Sequence, residues 1–225
     1  MTRLLNKTSA ATLCAMLFLT ACTTNPFTGE NQASRTAALG VGGAIVGGVV
    51  GLALNSDDRL KGALIGAGIG GVAGGSVGIY MDRQEARLRE ELAGTGVTVT
   101  RDGDQIILNM PGDITFATNE SALKADFRNN LDGVALVMEE FENTLIAIAG
   151  HTDSTGPRDF NMRLSQARAQ SVADYLSGQG VQQVRMFPFG EGPDNPVADN
   201  ATVAGRAANR RVELTLEPIR ANDLD

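Results

Sequence analysis

Between Gly62 and Gly78 the chain reads GALIGAGIGGVAGGSVG, with glycine at Gly62, Gly66, Gly70, Gly74 and Gly78. Four-residue spacing puts these positions on one helix face. Glycine, however, disfavours a helix interior by about 1 kcal/mol relative to alanine. Eight glycines lie in the run, so an isolated helix in water would forfeit roughly 8 kcal/mol on that scale. A bilayer reverses the balance, because backbone left unpaired in hydrocarbon costs several kcal/mol per group. The preceding Ala37–Leu54 is uncharged and repeats Gly43, Gly47 and Gly51, with the polar turn Asn55–Lys61 between the two segments. At 18 and 19 residues, each would be about 27–29 Å long as a helix, close to a hydrocarbon core of about 30 Å. This predicts a glycine-zipper helical hairpin over residues 37–80, with faces shaped for close backbone approach and self-association. It either packs in membrane, spanning it or lying shallowly, or is buried in a water-soluble oligomer. Gly66–Gly71 also fits G-x-G-x-x-G, but that fingerprint needs a preceding strand, and here a charged turn precedes it.

The first 21 residues have the form of a secretion signal: Arg3 and Lys7, then an apolar stretch from Ala10 to Leu19 that is too short to span a bilayer. Leu19-Thr20-Ala21-Cys22 resembles the lipobox of bacterial lipoproteins, which implies cleavage before Cys22 and acylation of its thiol. Cys14 would leave with the signal, so the mature chain could form no intrachain disulfide. Thr23 follows. Lipoprotein sorting retains Asp-bearing chains at the inner membrane, so Thr23 implies the outer membrane, facing the periplasm. The chain carries 19 basic and 26 acidic side chains, a net charge of −7, which argues against a nucleic-acid partner held through phosphates.

Residues 22–36 form a lipidated N-terminus and polar linker. Residues 81–96 are charged, pair Glu85 with Arg89 and Arg87 with Glu91 at i, i+4, and read as a solvated helical stalk ended by Gly94-Thr95-Gly96. From 97 to 218 helical and strand patterns alternate, with a tail at 219–225. Strands are expected at Gln105–Met110, Thr144–Ala149, Val184–Phe189 and Arg211–Glu217, with Pro188 confining the third to an edge or an irregular course. Amphipathic helices are expected at Ser121–Phe141 and Phe160–Ser177. The fold class is α/β (α+β), a two-layer sandwich.

Three motifs in this region, GHTDSTG from Gly150, NMRLSQARA from Asn161 and NRRVE from Asn209, resemble the OmpA-like peptidoglycan-binding domain. With the lipobox and the glycine hairpin, the whole chain resembles the YiaD-type outer-membrane lipoproteins. In that family an Asp after a strand and an Arg on the next helix hold the diaminopimelate of the wall's stem peptide, and these match Asp153 and Arg168. Thr152 and Asn161 fall within the same motifs and are further candidates for the site. Leu164 either lines the pocket or belongs to the core, and so does Phe116 at the end of the first strand.

The residues carry an independent argument. On a helical wheel Arg168 falls among Leu164, Val172 and Tyr175, inside the apolar stripe. A guanidinium there needs a partner, and a carboxylate fits its fork. That partner is either Asp153 itself or a ligand carboxylate. A zwitterion would satisfy both residues, ammonium to Asp153 and carboxylate to Arg168. Arg210 and Arg211 are either strand-edge solubilising charges or face the stem peptide, and the structural role is the favoured reading. His151, Asp153 and Ser154 are sequence neighbours and cannot stack as a triad, and a single His is too little for a zinc site. No catalytic group, metal or cofactor is expected. The reading is a non-enzymatic tether of outer membrane to peptidoglycan. The alternatives are a wall hydrolase or its regulator, or a membrane pore or stator, although the uncharged Gly62–Tyr80 segment offers no ion pathway.

Overall fold

The computed structural model describes residues 58–224. Its helices are α1 (Asp58–Gly66), α2 (Val77–Glu91), α3 (Gly112–Thr115), α4 (Ala125–Glu140), α5 (Arg158–Gly178) and α6 (Val203–Asn209). Its strands are β1 (Thr98–Asp102), β2 (Gln105–Pro111), β3 (Thr144–His151), β4 (Met186–Gly192) and β5 (Arg211–Pro218). The strands form one sheet in the order β1-β2-β5-β3-β4. Only β3 and β4 are parallel; the other neighbours run antiparallel.

Side-chain alternation decides what each face of the sheet does. Ile106, Leu108 and Met110 of β2 share a face with Val212, Leu214 and Leu216 of β5 and with Ile146 and Ile148 of β3. Helices α2, α4 and α5 cover this face, through Met81 and Leu88, Phe127 and Leu131, and Val172 and Leu176. Strand β3 is buried along its whole length because its other face, Leu145, Ala147 and Ala149, packs against Leu64, Ile69 and Ile219. All four expected strands are present. Strand β4 lies at the sheet edge, where Pro188 withholds no ladder hydrogen bond from an outer neighbour. The unexpected strand is β1, which pairs with β2 across a tight turn where Gly103 takes φ +56°.

The glycine run departs from expectation. Gly62–Tyr80 is not one helix. Helix α1 stops at Gly66, and Gly68 takes φ +78°. Gly68 N–H donates to Ile65 O and Ile69 N–H to Leu64 O. These two bonds, with Leu64 and Ile69 in contact within one apolar cluster, make a Schellman C-cap. Val72 then bridges to Arg220 in parallel, and an added Cβ at Gly71 would collide with Ala221 backbone. A second helix begins only at Val77. Burying Leu64, Ile69 and Val72 at about 25 cal/mol per Å² outweighs continuing a glycine-weakened helix. No helix among the described residues is long and apolar enough to cross a membrane. The first hairpin segment, Ala37–Leu54, and the lipobox lie outside the described residues.

Residues 81–96 are not a free stalk either. Both i, i+4 ion pairs form, Glu85 with Arg89 and Arg87 with Glu91. Between the two pairs, however, a stripe of Met81, Gln84, Leu88 and the adjoining Leu92 is buried in the main core. The tail is also integrated, with Ile219 fully buried. At the far end of the core the buried Arg185 donates to Met138 O, Phe141 O and Thr144 O. It thereby satisfies carbonyls at the end of α4 that have no helical partner.

Candidate functional site

Small residues set the geometry at the C-terminal ends of β3 and β4. An added Cβ at Gly150 would strike Ser165 O, and one at Gly190 would strike Gln166 N and Ser165 Oγ. Their absence lets α5 lie directly on these strands. Ser165 Oγ accepts from Gly192 N (2.9 Å), and Gln166 Oε1 accepts from Gly190 N (2.9 Å). The loop after β3 is held as firmly: Thr152 N donates to Gly192 O, and Asn161 Nδ2 donates to Asp153 O (3.3 Å) and Thr155 O (2.9 Å). Asn161 therefore orients the loop that presents Asp153.

This frame borders a cleft of about 790 Å³ whose walls include Phe116, Thr152, Asp153, Asn161, Leu164 and Arg168. All six sequence candidates thus meet in one cavity. Phe116 belongs to core and cleft at once, and half-buried Leu164 lines the cleft without joining the core. Arg168, 4 % exposed, donates through Nε to Glu120 O (2.9 Å) and through Nη2 to Ala117 O (3.5 Å). Its guanidinium carbon sits 5.0 Å from the Phe116 ring centroid, within cation–π range. Burial, then the Arg210 cation, lower its pKa, but a guanidinium stays charged.

Of the two partners open to Arg168, Asp153 is not the one taken: no salt bridge joins them among the described residues. Asp153 Oδ2 instead accepts from Arg210 Nη1 (2.9 Å), and Oδ1 accepts from Thr155 N (2.8 Å). Arg210 also grips both oxygens of Asp113 (3.0 and 3.1 Å). Burial alone would raise the Asp153 carboxyl, yet the bonds from Arg210 and Thr155 hold it below the ordinary carboxylate range. Arg210 is thus both structural and part of the cleft wall, whereas Arg211 is buried outside it and pairs with Glu213. Arg210 Nη1 and Thr155 N occupy two of the roughly four acceptor positions on the Asp153 carboxylate. The Asp113–Arg210–Asp153 cluster carries one net negative charge, and Arg168 nearby carries one positive charge with no carboxylate in salt-bridge reach among the described residues. Thr152 Oγ1, in a residue 5 % exposed, has no hydrogen-bond partner there either.

An OmpA family model matches residues 115–210 and a YMGG-like Gly-zipper model matches residues 1–82. The probable lipoprotein YiaD of Escherichia coli is 51 % identical over 212 residues, covering 93 % of this chain and 96 % of its own. The chain belongs to the YiaD-type branch of the OmpA family. The outer-membrane lipoprotein YfiB of Pseudomonas aeruginosa is 36 % identical over 105 residues, 47 % of this chain and 62 % of that relative. Among solved structures, the cell wall anchor of the type VI secretion system from Pseudomonas aeruginosa aligns with a TM-score of 0.56 at 30 % identity, covering 61 % of this chain and 99 % of its own.

The OmpA match begins at Thr115 and ends at Arg210, so it takes in the cleft from Phe116 to the arginine that neutralises Asp153 and leaves out only Gly112 and Asp113 of its wall. Sequence reasoning favoured a structural role for Arg210 over a place in the wall, and missed Asp113, Lys124 and Arg206. The NRRVE motif held the signal. Asn209 in it pins the Val197–Ala198 backbone through Oδ1 (2.8 and 3.0 Å), which leaves the first arginine at the cleft and the second beneath the sheet end. Which of two adjacent arginines faces the site follows from where β5 starts, and composition does not reveal that.

Proposed function

We propose that this chain is a non-enzymatic envelope lipoprotein that tethers the outer membrane to peptidoglycan by holding the diaminopimelate of the stem peptide. The observation that carries this reading is the charge pairing in the cleft: a net-negative Asp153 cluster beside a buried, acid-free Arg168. The free end of diaminopimelate is a zwitterion with the same two charges. Its ammonium would take the remaining acceptor positions of Asp153, and its carboxylate would take the Arg168 fork. Thr152 Oγ1 supplies one further hydrogen bond. Phe116 holds the guanidinium from behind, and Leu164 forms an apolar wall. Membership of the family and the likeness to a cell wall anchor support the assignment. Acylation at Cys22, outer-membrane placement and self-association through the glycine zipper complete the tether.

The test is calorimetry of the full-length chain in detergent against stem peptides ending in diaminopimelate or in lysine. Lysine lacks the distal carboxylate and should bind poorly. Asp153→Asn and Arg168→Ala should each weaken diaminopimelate binding about 30-fold or more, since stranding one member of a desolvated charge pair costs about 2–5 kcal/mol, and Arg168→Lys should weaken it too, because an ammonium cannot reproduce the bidentate fork. Equal binding by folded variants, or no preference over lysine, would overturn the reading.

A further inference from the structure

The cleft holds more positive charge than one zwitterion can use. Its walls carry Lys124, Arg168, Arg206 and Arg210 against only Asp113 and Asp153, in a chain whose overall charge is −7. Arg210 is consumed by the two aspartates. If Arg168 receives one ligand carboxylate, Lys124 and Arg206 remain. Among the described residues neither forms a salt bridge. Lys124 Nζ donates only to Asp113 O (2.5 Å). Arg206 Nη1 donates to Asn200 O (2.8 Å) and Ala201 O (3.1 Å), leaving Nε and Nη2 without a protein acceptor there. The two cations come from different walls. Lys124 stands just before α4, and Arg206 lies on α6, one turn before Arg210. Carbonyl contacts hold exposed Lys124 and half-buried Arg206 at the rim and leave their charges unneutralised beside the concave cleft, where field lines concentrate.

We infer that the cleft selects stem peptides by a second carboxylate, drawn into the field of Lys124 and Arg206 while Arg168 holds the distal one. This rests on the zwitterion reading above and extends it from one amino acid to the peptide around it. A diaminopimelate stem tripeptide offers two such groups: the glutamate α-carboxylate, left free by the γ-linkage, and the terminal carboxylate. The shared chemistry is a peptide carboxylate beyond the zwitterion, and selective amidation distinguishes the two sources.

The experiment titrates the full-length chain with four N-acetylated L-Ala-γ-D-Glu-diaminopimelate peptides. One is the parent, one carries the glutamate α-carboxamide, one the terminal carboxamide, and one both; all keep the distal ammonium and carboxylate. Wild type should bind the parent about fivefold more tightly than the doubly amidated peptide, the upper end for one exposed ion pair. One single amide should account for most of the gap and so identify the carboxylate. In Lys124→Gln and in Arg206→Gln the gap should shrink, and in the double variant it should close to within twofold, because the parent peptide loses more affinity than the doubly amidated one. Because Arg206 also braces a loop, Lys124→Glu provides a second measurement: it should reverse the preference while leaving the unfolding midpoint in place. If wild type binds parent and double amide equally, the second carboxylate is not read and the zwitterion site stands alone. If wild type binds none of the four, the diaminopimelate reading itself falls.

Discussion

His151 closes β3 at 3 % exposure with neither ring nitrogen hydrogen-bonded among the described residues. Burial, then the neighbouring Arg211 cation, push its pKa down to about 3, against about 6.5 for a solvated imidazole. The folded value lies below the unfolded one. Its contribution to stability is therefore complete above about pH 6.5 and declines as the pH falls toward 3, while the unfolded chain alone takes up the proton. At pH 5 the loss is about 2 kcal/mol. Urea unfolding at pH 7 and pH 5 should show that loss in wild type and a correspondingly smaller one in His151→Leu. An equal loss in both would mean that another group governs acid sensitivity. The Asp153 carboxyl, held below its ordinary range, contributes stability that is lost only in more acid solution, so the two windows separate. Two residues apart on one strand end, His151 is kept neutral and Asp153 is kept charged.

At the scale of elements, the glycines of the Gly62–Gly78 run divide into two kinds. Gly62, Gly66, Gly70, Gly74 and Gly78, the four-residue series, would meet nothing within 4 Å if given a Cβ. Of the three off that series, Gly75 likewise meets nothing within 4 Å, while Gly68 and Gly71 are constrained. Gly68 has the positive φ of the Schellman cap, and Gly71 lets the chain press against Ala221. Gly62→Ala, inside α1, should stabilise the chain by up to about 1 kcal/mol. Gly71→Ala should destabilise it, because backbone rather than a flexible side chain stands in the way. Chemical unfolding of both variants checks this. Destabilisation by Gly62→Ala in a monomeric preparation would show that the series packs within one chain, whereas a change confined to crosslinking between copies fits the proposed zipper. The cap explains how one segment can carry a helix-spaced glycine series and still not form a continuous helix.

For the whole molecule, the folded unit is larger than the family motifs. Strand β3 is covered on one face by α4 and α5 and on the other by Leu64, Ile69 and Ile219, so residues before 97 complete the fold. Met81, Leu88 and Leu92 are buried, and each contributes about 1.5–3 kcal/mol, against a total domain stability of about 5–15 kcal/mol. A fragment of residues 97–225 should therefore lose most of its cooperative unfolding transition by circular dichroism, while one of residues 58–225 should keep it. Matching midpoints would show that α1 and α2 are dispensable.

The amino-acid sequence was sufficient for what depends on local pattern. Period-two alternation located β2 and β5, Pro188 put β4 at an edge, and ordered motifs brought Asp153 and Arg168 into one site. It could not say which charge answers which. Asp153 pairs with Arg210, 57 positions away, because β3 and β5 are neighbours and place both residues at the same end of the sheet. Nor could it show that the charged residues 81–96 bury one side, since the salient i, i+4 ion pairs flank that side and mask it. The glycine run was read by its period alone. Its actual course followed from an apolar β3 face that needed covering, and burial of Leu64 and Ile69 there exceeds the small free energy by which a glycine-rich segment prefers any one backbone conformation.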